Sequence, residues 1–201
     1  MCGIVAYNGK ENCKDKLISG LEQLEYRGYD SAGIALLQKE QIDVIKKSGN
    51  ISGLIDKLKD YPSDSTTGIG HTRWATHGKP SEKNSHPHVN NKKDIAIVHN
   101  GIIENYQSLK EELIKDGYTF YSETDTEVVA NLLDKYYEDD LTTTVKNLIK
   151  IIEGSFSLAV ISSRDPESLV VVRKESPLIL GITENGVFAA SAVSYTHLRA
   201  H

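Results

Sequence analysis

The spacing of apolar residues predicts that the chain opens with a strand, a helix and a hairpin. Residues 2–7 are apolar and β-branched, which is typical of a buried strand. Apolar residues then recur at helical spacing at Leu17, Leu21 and Leu24, and strand-like runs follow at residues 32–37 and 42–45. We therefore expect the order strand, helix, strand, strand.

A second helix, a strand and a long loop are predicted next. Residues 51–58 form a short amphipathic pattern that ends at Tyr61 and Pro62, and a strand follows at residues 68–74. Residues 75–93 are polar and lack apolar periodicity. This composition predicts a long surface loop of the kind that often carries function.

The rest of the chain predicts three helices enclosed by strands. A strand at residues 94–99 precedes helical patterns around residues 106–113, 128–136 and 145–152. Further strands are predicted at residues 155–162, 168–173, 177–181 and 187–190. Strands grouped at both ends favour an α+β fold of two mostly antiparallel sheets packed face to face and covered by helices.

Composition narrows the class of protein without naming a function. The 201 residues include 39% hydrophobic and 25% charged residues, as in an ordinary globular domain with one core. The net charge of −5, without a basic run, argues against nucleic-acid and anionic-membrane partners. No membrane-length apolar stretch and no signal-peptide layout are seen, so we expect a cytoplasmic location.

The two cysteines, Cys2 and Cys13, are too few for a disulfide framework. A cysteine in an apolar strand is most simply an inert buried residue. If Met1 is removed, however, Cys2 carries both a thiol and a free α-amine with an ordinary pKa of about 7.7–8.0. Such an amine could act as the general base for the thiol.

Residues 71–78 place a guanidinium, an indole and two imidazoles at the end of a predicted strand. Arg73 could bind a substrate carboxylate with two parallel hydrogen bonds. Taken singly, Arg73 and Trp74 would be a surface ion pair and a core aromatic. So many functional side chains so close together in sequence, next to Gly78, favour a mobile lid instead.

Two further segments have both a functional and a structural interpretation. Asn100 and Gly101 could supply the amide and the backbone N–H of an oxyanion hole, or form a plain Asn-Gly turn that closes a strand. Residues 124–127 have the form of a capping box, so Asp125 either complements the positive end of a helix or binds a substrate ammonium.

A metal site is also conceivable on the histidines, which are His71, His77, His86, His88 and His99. No cysteine pair and no His-x-x-x-His pattern accompanies them, as known zinc sites would require. We therefore expect no metal and no cofactor. A non-enzymatic, histidine-rich metal-binding module stays a minor alternative.

Five motifs in matching order resemble one family of class II glutamine amidotransferases. They lie at residues 2–4, 26–33, 71–78, 99–105 and 122–128. Together they are similar to the glutaminase domain of the glutamine–fructose-6-phosphate aminotransferases, also called glucosamine-6-phosphate synthases. The resemblance covers residues 1 to about 191.

Other families share part of the pattern. Phosphoribosyl-transferring amidotransferases and asparagine synthetases also begin Cys-Gly-Ile, but typically carry histidine before the Arg-Gly pair. Tyr26 before that pair, and Trp74 after Arg73, favour the aminosugar enzymes. A self-processing N-terminal-nucleophile peptidase is a further alternative, although a peptidase does not need Arg73 and Asp125 to hold a free amino acid.

The resemblance implies the fold and the catalytic residues. It implies the N-terminal nucleophile hydrolase fold, an αββα sandwich. In that family Cys2 would attack the side-chain amide of glutamine, and Asn100 with the N–H of Gly101 would stabilise the oxyanion. Arg27 would brace the N-terminal strand.

The resemblance also implies how L-glutamine is bound. Arg73 would hold the α-carboxylate and Asp125 the α-ammonium. The loop that closes over the substrate would contain Trp74, Thr76 and His77.

The domain organisation follows from the same resemblance. Residues 1–191 are expected to form a C-terminally incomplete glutaminase domain. Residues 192–201 look like a foreign tail, because Ala192 stands where the family has aspartate. In the full-length family enzyme, ammonia passes to a sugar-isomerase domain that binds fructose 6-phosphate and through which a homodimer could form. That domain is absent from this chain.

Overall fold

Two antiparallel sheets form the centre of the computed structural model, which describes residues 2–74 and 80–192. The six-stranded sheet contains β1 (Gly3–Gly9), β2 (Ser31–Gln38), β3 (Gln41–Ser48), β4 (Thr67–Arg73), β9 (Ile179–Thr183) and β10 (Gly186–Ala190). Its strand order is β3-β2-β4-β1-β10-β9. The four-stranded sheet contains β5 (His88–Val89), β6 (Ile95–Ile103), β7 (Gly154–Ser162) and β8 (Asp165–Lys174), in chain order.

Five α-helices cover the outer faces of the sheets in the described segments. They are α1 (Cys13–Gln23), α2 (Ile51–Leu58), α3 (Tyr106–Lys115), α4 (Asp125–Lys135) and α5 (Leu141–Leu148). Local side chains fix where several begin: Asn12 accepts from the N–H of Lys14, and Asp140 accepts from the N–H of Thr143. None of the helices described is long and apolar enough to cross a membrane.

Apolar side chains separate into clusters that fill the spaces between layers. Because strand residues alternate in direction, Val5 and Tyr7 of β1 pack outward against α1 and α2. Likewise, Ile95 and Ile97 of β6 pack outward against α3, α4 and α5. The layers therefore follow the order helices, sheet, sheet, helices.

The strand side chains that alternate with these outward-facing residues point into the space between the two sheets. Ile4 and Ala6 of β1 face Ala96 and Val98 of β6, all of them fully buried. The predicted α+β sandwich of antiparallel sheets is confirmed.

The sequence pattern suggested that Asn100 and Gly101 close a strand, but the strand does not end there. Strand β6 continues through both residues to Ile103, and Gly101 pairs with Phe156 of β7. Gly101 has φ +119°, and a β-carbon there would lie 2.0 Å from the carbonyl oxygen of Ser155. Only glycine fits, because both the dihedral angle and the contact exclude a side chain.

The prediction of one surface loop over residues 75–93 is wrong for its second half. Residues 75–79 lie outside the described part of the chain, but Asn84, His86, His88 and Asn90 are buried, and β5 pairs with β6. The segment has no apolar periodicity to predict its burial, because its buried side chains are polar. Some of them contact polar residues far along the chain. His86, for example, contacts Thr126.

Candidate active site

The space between the sheets is apolar along most of its length and becomes polar at one end. Along β1, β4 and β6, the positions in step with the inward-facing apolar residues become Cys2, His71, Arg73 and Asn100. Since β4 runs antiparallel to β1, the N-terminal end of β1 meets the C-terminal end of β4 at this edge. Chain order separates these residues, but strand pairing brings them together.

A cavity of about 60 Å³ lies at this polar end. It is lined by all six of the predicted catalytic and substrate-binding residues that the structure describes, namely Cys2, Arg73, Trp74, Asn100, Gly101 and Asp125. Thr76 and His77 lie outside the described residues. The lining also includes four residues that were not among the predicted catalytic or substrate-binding residues, namely His86, His99, Thr124 and Thr126.

The thiol of Cys2 lies against the backbone at the end of β4. The N–H of Trp74 donates to Cys2 Sγ at 3.3 Å, and Sγ lies 3.6 Å from the carbonyl oxygen of Trp74. Burial raises the pKa of the Cys2 thiol. The thiol is therefore protonated at neutral pH and needs a base before it can act as a nucleophile.

The other cysteine has a different environment. Cys13 is fully buried in the apolar cluster beneath α1, where its Sγ lies 3.4 Å from Ser65 Oγ. Burial raises the pKa of Cys13 to about 11. It does not line the cavity, whereas Cys2 does.

The side-chain amide of Asn100 spans the gap between the two sheets. Its Nδ2 donates to the carbonyl oxygen of Cys2 at 3.1 Å, and its Oδ1 lies 2.9 Å from His71 Nε2. The same His71 nitrogen lies 3.1 Å from the carbonyl oxygen of His99. Asn100 is therefore held beside Cys2 by contacts at both ends of its amide.

Asp125 is the first residue of α4, and its carboxylate contacts two residues of β6. Oδ2 accepts from the N–H of Ile103 at 2.9 Å, and Oδ1 lies 3.7 Å from His99 Nδ1. Burial opposes ionisation, but His99 and the N–H of Ile103 outweigh it, so the pKa of Asp125 is below its ordinary value. Thr124, not Asp125, is the N-cap.

Thr126 joins Asp125 to two of the buried histidines. Its Oγ1 lies 2.9 Å from His86 Nε2, 3.0 Å from His99 Nδ1 and 3.3 Å from Asp125 Oδ1. A hydroxyl has one proton, and the carboxylate can only accept it, so both histidines donate to Thr126. In the sequence Thr126 is part of a capping-box pattern, which gives no sign of these contacts.

Three buried imidazoles, those of His71, His86 and His88, pack against one another beside the cavity. The ring centroids of His71 and His86 are 4.2 Å apart, and those of His86 and His88 are 4.8 Å apart. Burial lowers the pKa of His71 to about 3, and those of His86 and His88 well below 6.5. These rings are neutral at neutral pH. Within residues 2–74 and 80–192, no group of three or more potential ligands is arranged to hold a metal ion.

Arg27 lies outside the cavity lining but contacts the segment that pairs with β1. Its Nη1 donates to the carbonyl oxygen of Ser191 at 2.6 Å. Ser191 in turn exchanges hydrogen bonds with Ile4, through its N–H and its hydroxyl. These contacts agree with the predicted bracing role, which stays a prediction.

Comparison with known families agrees with this geometry. A family model described as a glutamine amidotransferase domain matches residues 71–197, more than half of the chain. The chain belongs to this family. The match includes Arg73, Asn100, Gly101 and Asp125, four of the residues that line the cavity.

Curated relatives of this amidotransferase domain are named glutamine–fructose-6-phosphate aminotransferase (isomerizing). The protein from Clostridium perfringens is 53% identical over 193 residues, and that from Aquifex aeolicus is 51% identical over 195 residues. Both alignments cover 96% of this chain. The chain spans about a third of those relatives, covering 32% and 33% of their lengths.

Solved structures share the fold of the amidotransferase domain. A glutamine phosphoribosylpyrophosphate amidotransferase from B. subtilis superposes with a TM-score of 0.84 at 25% identity, covering 98% of this chain and 43% of that one. A structure described as the allosteric regulatory enzyme of purine biosynthesis gives 0.85 at 26% identity over the same shares. The predicted N-terminal nucleophile hydrolase sandwich is confirmed.

Proposed function

We propose that this amidotransferase domain hydrolyses the side-chain amide of L-glutamine to glutamate and ammonia, with Cys2 as the nucleophile. One observation carries the proposal: Cys2, the amide of Asn100 and the oppositely charged Arg73 and Asp125 line a single cavity. A nucleophile, an oxyanion donor and two groups for a free amino acid are the components that this reaction requires.

The first chemical step needs a base because the thiol of Cys2 is protonated. In the described part of the chain, Cys2 Sγ forms hydrogen bonds with the backbone of Trp74. No imidazole or carboxylate of the described residues forms a hydrogen bond with it. We infer that Met1 is removed and that the α-amine of Cys2 takes the thiol proton. The thiolate then attacks the amide carbon of glutamine.

The resulting tetrahedral intermediate places a negative charge on the former amide oxygen. Asn100 Nδ2 has a second N–H besides the one that donates to Cys2, and this N–H, with that of Gly101, would stabilise the oxyanion. Return of the proton to the amide nitrogen releases ammonia and leaves a thioester on Cys2. Water then hydrolyses the thioester to give glutamate and the free thiol.

Substrate recognition would rely on two opposite charges. Arg73 pairs with the α-carboxylate of glutamine and the ionised Asp125 with its α-ammonium, as charge-assisted hydrogen bonds. The hydrogen bond from Ile103 to Asp125 Oδ2 keeps that carboxylate oriented. In the proposal Trp74, Thr76 and His77 close over the bound amino acid, and no metal or cofactor is needed.

For the whole protein we propose synthesis of glucosamine 6-phosphate from fructose 6-phosphate and glutamine. Relatives with this name are 46–53% identical, whereas the two phosphoribosylpyrophosphate-type structures are 25–26% identical. Residues 1–191 would be the ammonia-supplying part, and fructose 6-phosphate and a homodimer contact would belong to a sugar-isomerase domain. A cytoplasmic location, without nucleic-acid or membrane partners, suits two free thiols.

The test is release of ammonia and glutamate from glutamine by the folded chain. Cys2→Ser should lower kcat by about 10⁴-fold or more, because removal of an enzyme nucleophile removes the covalent route. Cys13→Ser is the matched control and should stay within a few fold. Equal losses from both substitutions would contradict the proposal.

Two further arms test the mechanism and the alternative reaction. Intact mass should show that Met1 is absent, and an uncleavable N-terminal extension should bind glutamine without turnover, because the amine then lies away from the thiol. Undiminished turnover of the extended chain would refute the amine as base. Peptides assayed beside glutamine should not be cleaved, whereas a peptidase would prefer them.

A further inference from the structure

An asparagine that stabilises an oxyanion must present the correct end of its side-chain amide. The oxygen and nitrogen of a carboxamide are almost equal in size, so packing alone hardly distinguishes the two orientations. With Nδ2 toward the reacting carbon the amide donates to the oxyanion. With Oδ1 there instead, it would repel the developing charge. The proposed reaction therefore needs a group that fixes the orientation of Asn100.

His71 has the geometry to fix it. Its Nε2 lies 2.9 Å from Asn100 Oδ1 and 3.1 Å from the carbonyl oxygen of His99. The carbonyl oxygen can only accept, so Nε2 carries the ring proton and Asn100 must turn its oxygen toward it. The opposite orientation would bring N–H against N–H at His71 and oxygen against oxygen at Cys2.

The fold holds this imidazole firmly and in one protonation state. His71 is 1% exposed on β4, where it pairs with Ile4 of β1 and Gly33 of β2, and its ring stacks on His86. Burial lowers the pKa of His71 to about 3, so it stays neutral. Its Nδ1 is buried with no hydrogen-bond partner among the described residues, which agrees with a ring that carries its proton on Nε2.

We propose that His71 is a positioning residue, whose Nε2–H holds the Asn100 amide with Nδ2 directed at the oxyanion. The inference rests on the proposed glutamine hydrolysis. His71 does not line the cavity and acts only through Asn100. It should therefore affect the rate of the chemical step and leave the binding of glutamine almost unchanged.

The experiment compares two replacements of His71 that both carry a side-chain amide. His71→Gln places an amide nitrogen near the position of Nε2, whereas His71→Asn places it near Nδ1, out of reach of Asn100. We expect His71→Asn to lower kcat by roughly 10²-fold, the usual cost of a misplaced catalytic group, with KM within about twofold. His71→Gln should keep kcat within about fivefold of the parent.

A double-mutant cycle with Asn100→Ala separates positioning from general damage. Once Asn100 is gone, His71→Asn should cost no more than about twofold in kcat, because the two residues act as one unit. His88→Asn is the control, since His88 is another buried imidazole but contacts Thr124 at 3.0 Å. Its effect on kcat should be the same with and without Asn100.

The outcomes distinguish this inference from the proposed function. If Asn100→Ala lowers kcat but His71→Asn lowers it further by the full factor, His71 does not act through Asn100 and the inference is wrong. Equal losses from His71→Asn and His71→Gln, at unchanged urea midpoints, would also overturn it. If Asn100→Ala leaves kcat unchanged, the proposed oxyanion donor itself is wrong.

Discussion

The two ends of the space between the sheets use the same strands for opposite purposes. At one end Ala6 and Val98 pack as part of an apolar cluster. At the other end, two residues further along β6, Asn100 contacts His71 and Cys2. The strand pairing is continuous through both ends, so the apolar end sets the register in which the polar end is held.

The polar end costs stability as the pH falls. It buries uncharged histidines that would bind protons more readily in the unfolded chain, and burial lowers the pKa of His71, His86 and His88, so acid favours unfolding. The apolar end has no such cost, because burial of its side chains is favourable in itself. Functional geometry at one end thus depends on stability from the other, as is common for active sites.

The strongest test of this division substitutes two residues of β6, Asn100 in the polar region and Val98 in the apolar region. Asn100→Ala should lower kcat for glutamine hydrolysis by about 10²–10³-fold, the usual effect of losing one oxyanion donor, with little change in stability. Val98→Ala should instead lower the free energy of unfolding by about 2 kcal/mol, because it empties part of the fully buried interface, and leave kcat within a few fold.

Steady-state kinetics and urea denaturation, measured on both variants, check the pair. Val98→Ala needs to be assayed where it is fully folded, so that lost stability is not mistaken for lost rate. If Val98→Ala lowered kcat as much as Asn100→Ala, the two ends would not be functionally separate.

A smaller effect is expected from the charged residues at the edge of the cavity. Arg73→Ala and Asp125→Ala should each weaken kcat/KM by about 1.5–3 kcal/mol, roughly 10- to 150-fold, because each removes one charge-assisted contact. A glutamine ester should be a poor substrate for the parent but add little further loss to Arg73→Ala. Glutamine with a blocked α-amine should behave likewise with Asp125→Ala.

If the loss in kcat/KM caused by the analogue simply added to the loss caused by the substitution, these residues would not bind the substrate charges. Asp125 would then serve only to fix the end of β6 through Ile103. Variant stability, measured in the same preparations, separates that structural role from substrate binding.

The smallest effect per residue is the acid sensitivity of the buried histidines at the polar end. His71, His86 and His88 each have a folded pKa below the ordinary value of 6.5, so the unfolded chain binds protons first and the protein loses stability as the pH falls through 6.5. Between pH 6.5 and 5.5 the free energy of unfolding should decrease by about 1 kcal/mol for each histidine. Urea denaturation at both pH values measures this decrease.

The matched variant for this test is His88→Gln, which removes one titrating ring outside the cavity lining. It should reduce the pH-dependent loss by about one histidine's share, or roughly 1 kcal/mol. An unchanged pH dependence in this variant would mean that His88 does not titrate on unfolding in this range.

Much of the fold was accessible from residue spacing. The strands β1, β2 and β7 and the helix α4 were predicted to within a few residues, because their apolar residues repeat at the period of the element. Buried polar segments could not be predicted from residue spacing. Strand β5 and the burial of Asn84 and His86 escaped prediction, since a polar residue gives no local sign of a distant partner.

Residue types and their order along the chain already define which chemical groups are available. The position of Cys2 at the second residue, the charges of Arg73 and Asp125, and the pairing of Asn100 with Gly101 are all local features, and the family resemblance rests on them. Each depends only on residue type and order along the chain.

Tertiary structure alone decided how these groups meet. The 2.9 Å contact between His71 and Asn100 joins two sheets, and the 2.9 Å contact of Asp125 with Ile103 joins a helix to a strand. Thr126 gained its place between His86 and His99 in the same way. Such distances depend on sheet register and layer packing, which sum over many residues far apart in the chain, so no local pattern encodes them.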